Sequence, residues 1–270
     1  MPVYPVTLTP FSDTLINAER CADGDPYVRS TLLLGDRLTI VFDTLYCPAD
    51  MDSTLEIARA RERPVVVINS HADYDHVWGN GAFPDSVIVG HGLTRKRFLD
   101  KGDVAATLAR KLPESCEEYG TVVLRPPEIT FIDELTIEAG GFSVVLHHLP
   151  GHRADCIVAH IPQAGILLAA DTAEDPIPVV VDGPLRTWST DLRHWARRHD
   201  AHTIIPSHGP ISGPELLVRN ADYLDSLIEG RSDGWEAGPD TLPFYSQVHL
   251  GNVARAAELL SGRVGLAAGP

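Results

Sequence analysis

The chain has 270 residues and carries 22 Lys and Arg against 37 Asp and Glu, a formal charge of −15 with neutral histidine. Such an acid excess repels nucleic acid and anionic membrane surfaces, so neither is expected as a partner. With 44% apolar and 22% charged residues, an ordinary globular fold is expected, and no stretch approaches the roughly 18 apolar residues of a membrane span. A cytoplasmic location is expected, because the widely spaced cysteines suit a reducing compartment as unpaired thiols: Cys21, Cys47, Cys116 and Cys156.

Short strands and helices alternate in the first half of the chain. The apolar runs Thr31–Leu34 and Leu38–Phe42 flank a Gly-Asp-Arg turn and predict a hairpin. The segment Ser53–Glu56 has the spacing of a capping box, so a helix is expected to begin there and to stop by Arg63. Val65–Ile68 then predicts a strand buried on both faces. Further along we expect a strand over Val87–Val89 and helices over Leu93–Leu99 and Asp103–Leu112.

Strand signals dominate the second half, and helices are expected to follow them. The whole chain, residues 1–270, is expected to form one domain with a core at about 31–209 and a C-terminal helical segment at 210–264. The predicted strands are Thr130–Ile132, Leu135–Glu138, Phe142–His147, Cys156–Ile161, Ile166–Ala170 and Thr203–Ile205. The predicted helices are Asp191–His199, Pro214–Ile228 and Asn252–Leu260.

One sequence pattern occurs in both halves. Val66–His71 resembles Thr203–His208, and each is an apolar run that ends in Ser-His. Ligands in sheets covered by helices gather at the carboxyl ends of strands. We therefore expect two related halves that meet at one site.

Metal-ligating residue types concentrate directly after predicted strands. Four of them fall within the six residues of His71–His76. An aspartate after the apolar run Ile166–Ala170 would be costly to bury without a metal or a cationic partner. Imidazole and carboxylate groups hold zinc, iron or manganese. The candidate ligands are His71, Asp73, Asp75, His76, His152, Asp171 and His208.

This ordered pattern resembles that of the metallo-β-lactamase-fold metallohydrolases, from about Thr31 to Gly209. The strand Leu38–Asp43, which ends in Asp-Thr, is similar to a strand of that family. The resemblance implies an α/β fold, an αββα sandwich in which two mixed β-sheets pack together with helices on both outer faces. It also implies that His71 and His152 bind a first metal ion, that Asp75, His76 and His208 bind a second, and that Asp171 bridges both.

Asp73 departs from the family pattern, which mostly has histidine at this position. An added carboxylate lowers the formal charge of a dinuclear centre by one unit and offers a harder ligand than imidazole. Two divalent ions are expected. The family implies Zn²⁺, whereas Asp73 favours Mn²⁺ or iron.

The resemblance implies a metal-dependent hydrolase that uses a metal-bound hydroxide on a small ester, thioester, lactone or amide. Asp75 and Asp73 are the candidates for carrying a proton to the leaving group, and we favour Asp75. One alternative is a diiron redox centre for reduction of oxygen or nitric oxide, because flavodiiron proteins also place a carboxylate at the position of Asp73. Another is a metal-binding scaffold without catalysis.

Four further residues are candidates for supporting the site. Asp43 resembles the family aspartate that orients a ligand imidazole, with simple strand capping as the alternative. Tyr74 could donate to an oxyanion, and His91 could face the site or serve as a hydrogen-bonded histidine at a strand end. Arg186 is expected on a loop, where it could meet a substrate carboxylate. Specificity loops are expected over Ala105–Thr121 and Ala173–Ser189, and the C-terminal helices could pair in a homodimer.

Overall fold

The computed structural model describes residues 5–21, 26–113, 119–239 and 241–262. The chain divides into two compact units. The N-terminal unit comprises Met1–Ala22 and Tyr27–His148, and the C-terminal unit comprises Asp23–Pro26 and Leu149–Pro270. Among the described residues, no helix combines the length and the apolar character that crossing a membrane requires.

The N-terminal unit contains a mixed seven-stranded sheet whose strands β1 to β7 lie in chain order. The first four strands pair antiparallel, and β4 to β7 pair in parallel. β8 and β9 pair antiparallel and do not belong to this seven-stranded sheet. The strands are β1 Val6–Ser12, β2 Leu15–Arg20, β3 Val28–Leu34, β4 Thr39–Phe42, β5 Val65–Asn69, β6 Val87–His91, β7 Ile129–Phe131, β8 Glu134–Glu138 and β9 Ser143–His148.

Short helices connect these strands. The helices are α1 Asp52–Ala60, α2 Tyr74–Val77, α3 Gly92–Leu99 and α4 Val104–Lys111, with 3-10 turns at Pro48–Met51 and Trp78–Ala82. β3, β4 and β5 bury their apolar side chains, as the continuous apolar runs predict, in a cluster that includes Leu32, Val41, Val67, Ile88 and Phe83.

The C-terminal unit contains a second mixed arrangement of strands and the longer helices. Its strands are β10 Ile157–Ile161, β11 Ile166–Ala170 and β12 Thr203–Pro206, and its helices are α5 Leu185–Ala196, α6 Glu215–Ile228 and α7 Pro243–Leu260. β10 pairs antiparallel with β11, which pairs in parallel with β12. The helices bury one face each around Trp188, Trp195, Leu217, Leu224 and Tyr245.

The predicted strands and most predicted helices are confirmed, with different ends. The capping-box prediction at Ser53 is wrong: α1 begins at Asp52, and no side-chain cap bond forms, because the 3-10 turn Pro48–Met51 leads directly into the helix. α5 begins six residues before the predicted Asp191, and α7 begins nine residues before the predicted Asn252. The strands β1 and β2 were not predicted, and Cys116 lies outside the described residues.

Candidate metal centre

In the N-terminal unit, the four predicted ligands of the segment His71–His76 lie around the start of α2. The His71 and His76 side chains are fully buried, whereas those of Asp73 and Asp75 are 15% and 13% exposed. Nε2 of His71 lies 3.8 Å from Oδ2 of Asp73, and Nε2 of His76 lies 3.6 Å from Oδ2 of Asp75. Two donors bonded at about 2.0–2.2 Å to one ion lie at most roughly 4.4 Å apart, so each pair could share an ion.

Asp43 supports this ligand segment from the end of β4. Its carboxylate accepts hydrogen bonds from the backbone N–H and the hydroxyl of Ser70, both at 2.7 Å, and its Oδ2 lies 2.9 Å from Nδ1 of His76. The residue is buried and has a φ of 61°, a left-handed conformation that aspartate tolerates better than most residues. Burial raises the pKa of Asp43, and the neighbouring His76 and Ser70 oppose that rise. The predicted supporting residue is thus in contact with a predicted ligand.

The hydrogen bonds to Asp43 determine which imidazole nitrogens can bind a metal. The Ser70 hydroxyl donates its single proton to Asp43, so it accepts from Nδ1–H of His71 at 2.9 Å. His76 likewise donates Nδ1–H to Asp43. In both histidines the lone pair is therefore on Nε2, the atom nearest the Asp73 or Asp75 carboxylate. This donor chemistry fits a divalent transition metal.

In the C-terminal unit, Asp171 lies between two of the predicted histidine ligands. Its Oδ2 is 3.9 Å from Nε2 of His152, and its Oδ1 is 3.5 Å from Nε2 of His208. His152 donates Nδ1–H to the carbonyl of Val179 at 2.8 Å, which again leaves Nε2 as the coordinating atom. All three ligand side chains are buried. Each oxygen of the Asp171 carboxylate therefore approaches the imidazole of a different candidate ligand.

Backbone conformations that most residues avoid occur next to two of these three candidate ligands. Ala170, which precedes Asp171, has a φ of 47°. Gly209, which follows His208, has a φ of 106°, and a Cβ at this position would lie 2.7 Å from Cβ of Asp175. Glycine adopts a positive φ without strain, whereas the conformation of Ala170 persists only where the surrounding structure enforces it, as is common at functional sites.

Glu174 is a candidate supporting residue that sequence reasoning missed. It is 1% exposed, and its Oε1 accepts the backbone N–H of Val179 at 3.1 Å. Its own backbone N–H and carbonyl both bind the amide of Asn220. Burial, and then the nearby Asp171 charge, raise the pKa of Glu174 to about 7. Because the Val179 carbonyl orients His152, Glu174 stabilises the backbone that holds a ligand.

The structure shows what two further predicted site residues of the N-terminal unit, Tyr74 and His91, contact. Tyr74 packs its ring against Tyr46 and Trp78, with centroid separations of 5.5 and 5.2 Å. His91 accepts the backbone N–H of Leu93 at Nδ1 and lies 2.8 Å from the Ile132 carbonyl at Nε2. Both nitrogens of His91 therefore contact the backbone, and Nδ1 caps α3, as the strand-end alternative anticipated.

The loop predictions are partly wrong. Arg186 and Trp188 lie in α5 rather than on a loop; the Arg186 side chain is exposed and the Trp188 side chain is buried. The helix begins at Leu185 because one face packs into the apolar cluster of the C-terminal unit. Of the predicted loop Ala105–Thr121, residues 105–111 belong to α4 and residues 114–118 lie outside the described residues.

The sequence model of the metallo-beta-lactamase superfamily matches residues 23–208, more than half of the chain. The chain belongs to the metallo-beta-lactamase superfamily. The predicted fold class, two mixed β-sheets with helices, is confirmed. No curated protein matches the sequence.

Solved structures agree with this fold at low sequence identity. A metallo-beta-lactamase from Pontibacter korlensis has a TM-score of 0.63 and 19% identity over 82% of this chain and 99% of its own. The DIM-1 metallo-beta-lactamase has a TM-score of 0.63 and 16% identity over 83% and 99%. The mono-zinc form of FIM-1 from Pseudomonas aeruginosa has a TM-score of 0.61 and 21% identity over 82% and 96%. At such identities the likeness shows the fold.

Proposed function

We propose that this protein is a hydrolase with two divalent metal ions that acts on a small ester, thioester, lactone or amide. The observation that carries the proposal is the placement of Asp171, whose two oxygens each approach the Nε2 atom of a different histidine. Membership of the metallo-beta-lactamase superfamily supports a metal-dependent hydrolase in general terms.

The proposed ligand assignment follows the family order of the residues. We assign His71, Asp73 and His152 to one ion, Asp75, His76 and His208 to the other, and Asp171 to both. When bound, the ions would supply Lewis acidity, which polarises a substrate oxygen and lowers the pKa of water.

The residues around the ligands would keep the imidazoles in the coordinating tautomer. Asp43 retains a proton on Nδ1 of His76 directly and on Nδ1 of His71 through Ser70. Asp75 is proposed to deliver a proton to the leaving group, because its carboxylate lies within the ligand segment and remains partly exposed. A hydrogen-bonded network of this kind fixes geometry before the substrate binds.

Metal analysis combined with an activity screen tests the proposal. The protein is stripped with a chelator, reloaded with Zn²⁺, Mn²⁺ or Fe²⁺, and assayed on ester, thioester, lactone and amide substrates. We expect about two ions per chain and hydrolysis that depends on them. Less than one ion per chain, or a loaded protein that hydrolyses no substrate, would contradict the proposal.

Two variants with a matched control make the test specific. His208→Ala and Asp171→Asn should each reduce the bound metal to one ion or fewer per chain and lower the rate at least about 100-fold. His202→Ala removes an exposed imidazole six residues from His208 and should retain both properties. Equal losses in all three variants would point to a general loss of folding, which circular dichroism would detect.

A further inference from the structure

Asp73 forms a short ion pair with Arg97 of α3. Nη2 of Arg97 donates to Oδ1 of Asp73 at 2.6 Å. The same guanidinium binds Asp103, with Nε at 2.8 Å from Oδ2 and Nη2 at 3.2 Å from Oδ1. Only 17% of the Arg97 side chain is exposed. Asp103, immediately before α4, therefore holds the arginine in position against Asp73.

This contact determines how Asp73 presents its two oxygens. Oδ1 accepts from Arg97, whereas Oδ2 lies 3.8 Å from Nε2 of His71. An oxygen that accepts a short, charge-assisted hydrogen bond has less electron density to donate to a metal ion, so Oδ1 becomes the weaker donor of the two. Asp73 thus presents Oδ2 as its stronger donor beside His71.

The pair also changes the charge of the ligand set. An arginine stays protonated at every accessible pH, so its positive charge offsets the carboxylate of Asp73. The sequence alone assigned Asp73 one additional negative charge at the metal centre. Because Asp103 shares this guanidinium, Arg97 offsets part of that additional charge, and the preference for hard cations that followed from it is weakened.

We propose that Arg97 is a positioning residue that sets the metal preference of the His71 and Asp73 pair. It favours Oδ2 as the donor oxygen of Asp73 and offsets part of the carboxylate charge, which suits a four-coordinate zinc ion with nitrogen and oxygen ligands. An unrestrained carboxylate, able to use both oxygens, would instead favour Mn²⁺, a harder ion that prefers more oxygen ligands. The inference rests on the proposed metal-binding function.

Metal titration of full-length Arg97→Met tests the proposal without relying on activity. Chelator-stripped protein is titrated separately with Zn²⁺ and Mn²⁺ by calorimetry, and both binding equivalents are fitted. At one of the two sites, the ratio of Mn²⁺ affinity to Zn²⁺ affinity should be about tenfold higher in Arg97→Met than in the parent protein. Lys96→Met removes a positive charge from the exposed neighbouring position of α3 and should leave the ratio within twofold of the parent.

Arg97→Lys separates the effect of geometry from the effect of charge. It also provides a second variant in case Arg97→Met does not fold. A lysine keeps the charge but cannot hold two carboxylates in one planar fork, so the ratio should fall between those of the parent and Arg97→Met. A ratio within twofold of the parent in either folded Arg97 variant overturns the role of Arg97. If the parent binds neither metal, the proposed function itself is overturned, so the two failures are distinguishable.

Discussion

Oδ2 of Asp43 lies 2.9 Å from Nδ1 of His76, and the same oxygen accepts the hydroxyl proton of Ser70. Because Ser70 in turn accepts from His71, one buried carboxylate orients two imidazoles. Buried networks of this type rigidify a site only when every member has its partner, so loss of one member should affect both histidines.

Asp43→Asn should weaken metal binding by about 10- to 100-fold, because a neutral amide in place of the carboxylate holds the Nδ1–H of the His76 imidazole less strongly. Competition against a chromogenic zinc chelator gives the affinity. Asp85→Asn is the control, since it makes the same change at an exposed position of the N-terminal unit. Affinities that match in the two variants would show that Asp43 only caps its strand.

Ser70→Ala should reduce metal affinity less than Asp43→Asn, by about tenfold, because it removes the contact with His71 and leaves Asp43 beside His76. Ser207→Ala is the matched control from the second Ser-His pair. The bond described at Ser207 is made by its backbone N–H, which donates to the carbonyl of Ala170. A loss of equal size in the control would contradict the role assigned to the Ser70 hydroxyl.

The strands that are buried on both faces could be predicted from the sequence because continuous apolar runs mark them. Val65–Asn69 and Ile166–Ala170 are examples. β1 has mostly exposed side chains and contains Pro10, so its strand conformation depends on pairing with β2 rather than on its own pattern. α7 begins at Pro243 because Tyr245 packs into the apolar cluster, which local propensity does not encode.

The candidate ligands could also be chosen from the sequence, since they follow strands at short intervals. Arg97 and Glu174 were not. Arg97 reaches Asp73 from a helix 24 residues further along the chain, and no spacing rule links an arginine to a carboxylate at that distance. Glu174 is three residues from Asp171, but its complete burial becomes visible only in the folded chain.

A buried ion pair in the N-terminal unit provides a stability prediction that is independent of metal. Arg20 and Asp50 are each 3% exposed and lie 2.9 Å apart, and the Arg20 guanidinium also stacks on Tyr46. Asp50→Ala should lower the free energy of unfolding by about 3–5 kcal/mol, because it leaves a buried charge without this carboxylate.

Urea unfolding of two comparison proteins shows whether burial is the cause. Glu229→Ala breaks an exposed pair with Arg231 and should cost less than about 1 kcal/mol. Arg20→Met combined with Asp50→Leu replaces the buried pair by apolar side chains and should be more stable than Asp50→Ala alone. A double variant no more stable than the single one would contradict this explanation.

The stability of the metal-free protein should depend on pH through Glu174. Because the pKa of this carboxyl is raised to about 7 in the folded chain, the folded state binds its proton more tightly than the unfolded state does. The resulting stabilisation is fully present below the unfolded pKa, about 4.3, and is lost as the pH rises through 7. The total loss is on the order of 3 kcal/mol.

Glu174→Gln should remove this pH dependence, because glutamine stays neutral and can still accept the backbone N–H of Val179. The measurement is urea unfolding of parent and variant at pH 5 and pH 8, with a chelator present to keep both proteins metal-free. At pH 5 the two proteins should be similarly stable, whereas at pH 8 the variant should be the more stable one. Titrations of groups remote from Glu174 affect parent and variant alike, so they cancel in the difference between the two. An equal change with pH in both proteins would show that Glu174 keeps an ordinary pKa.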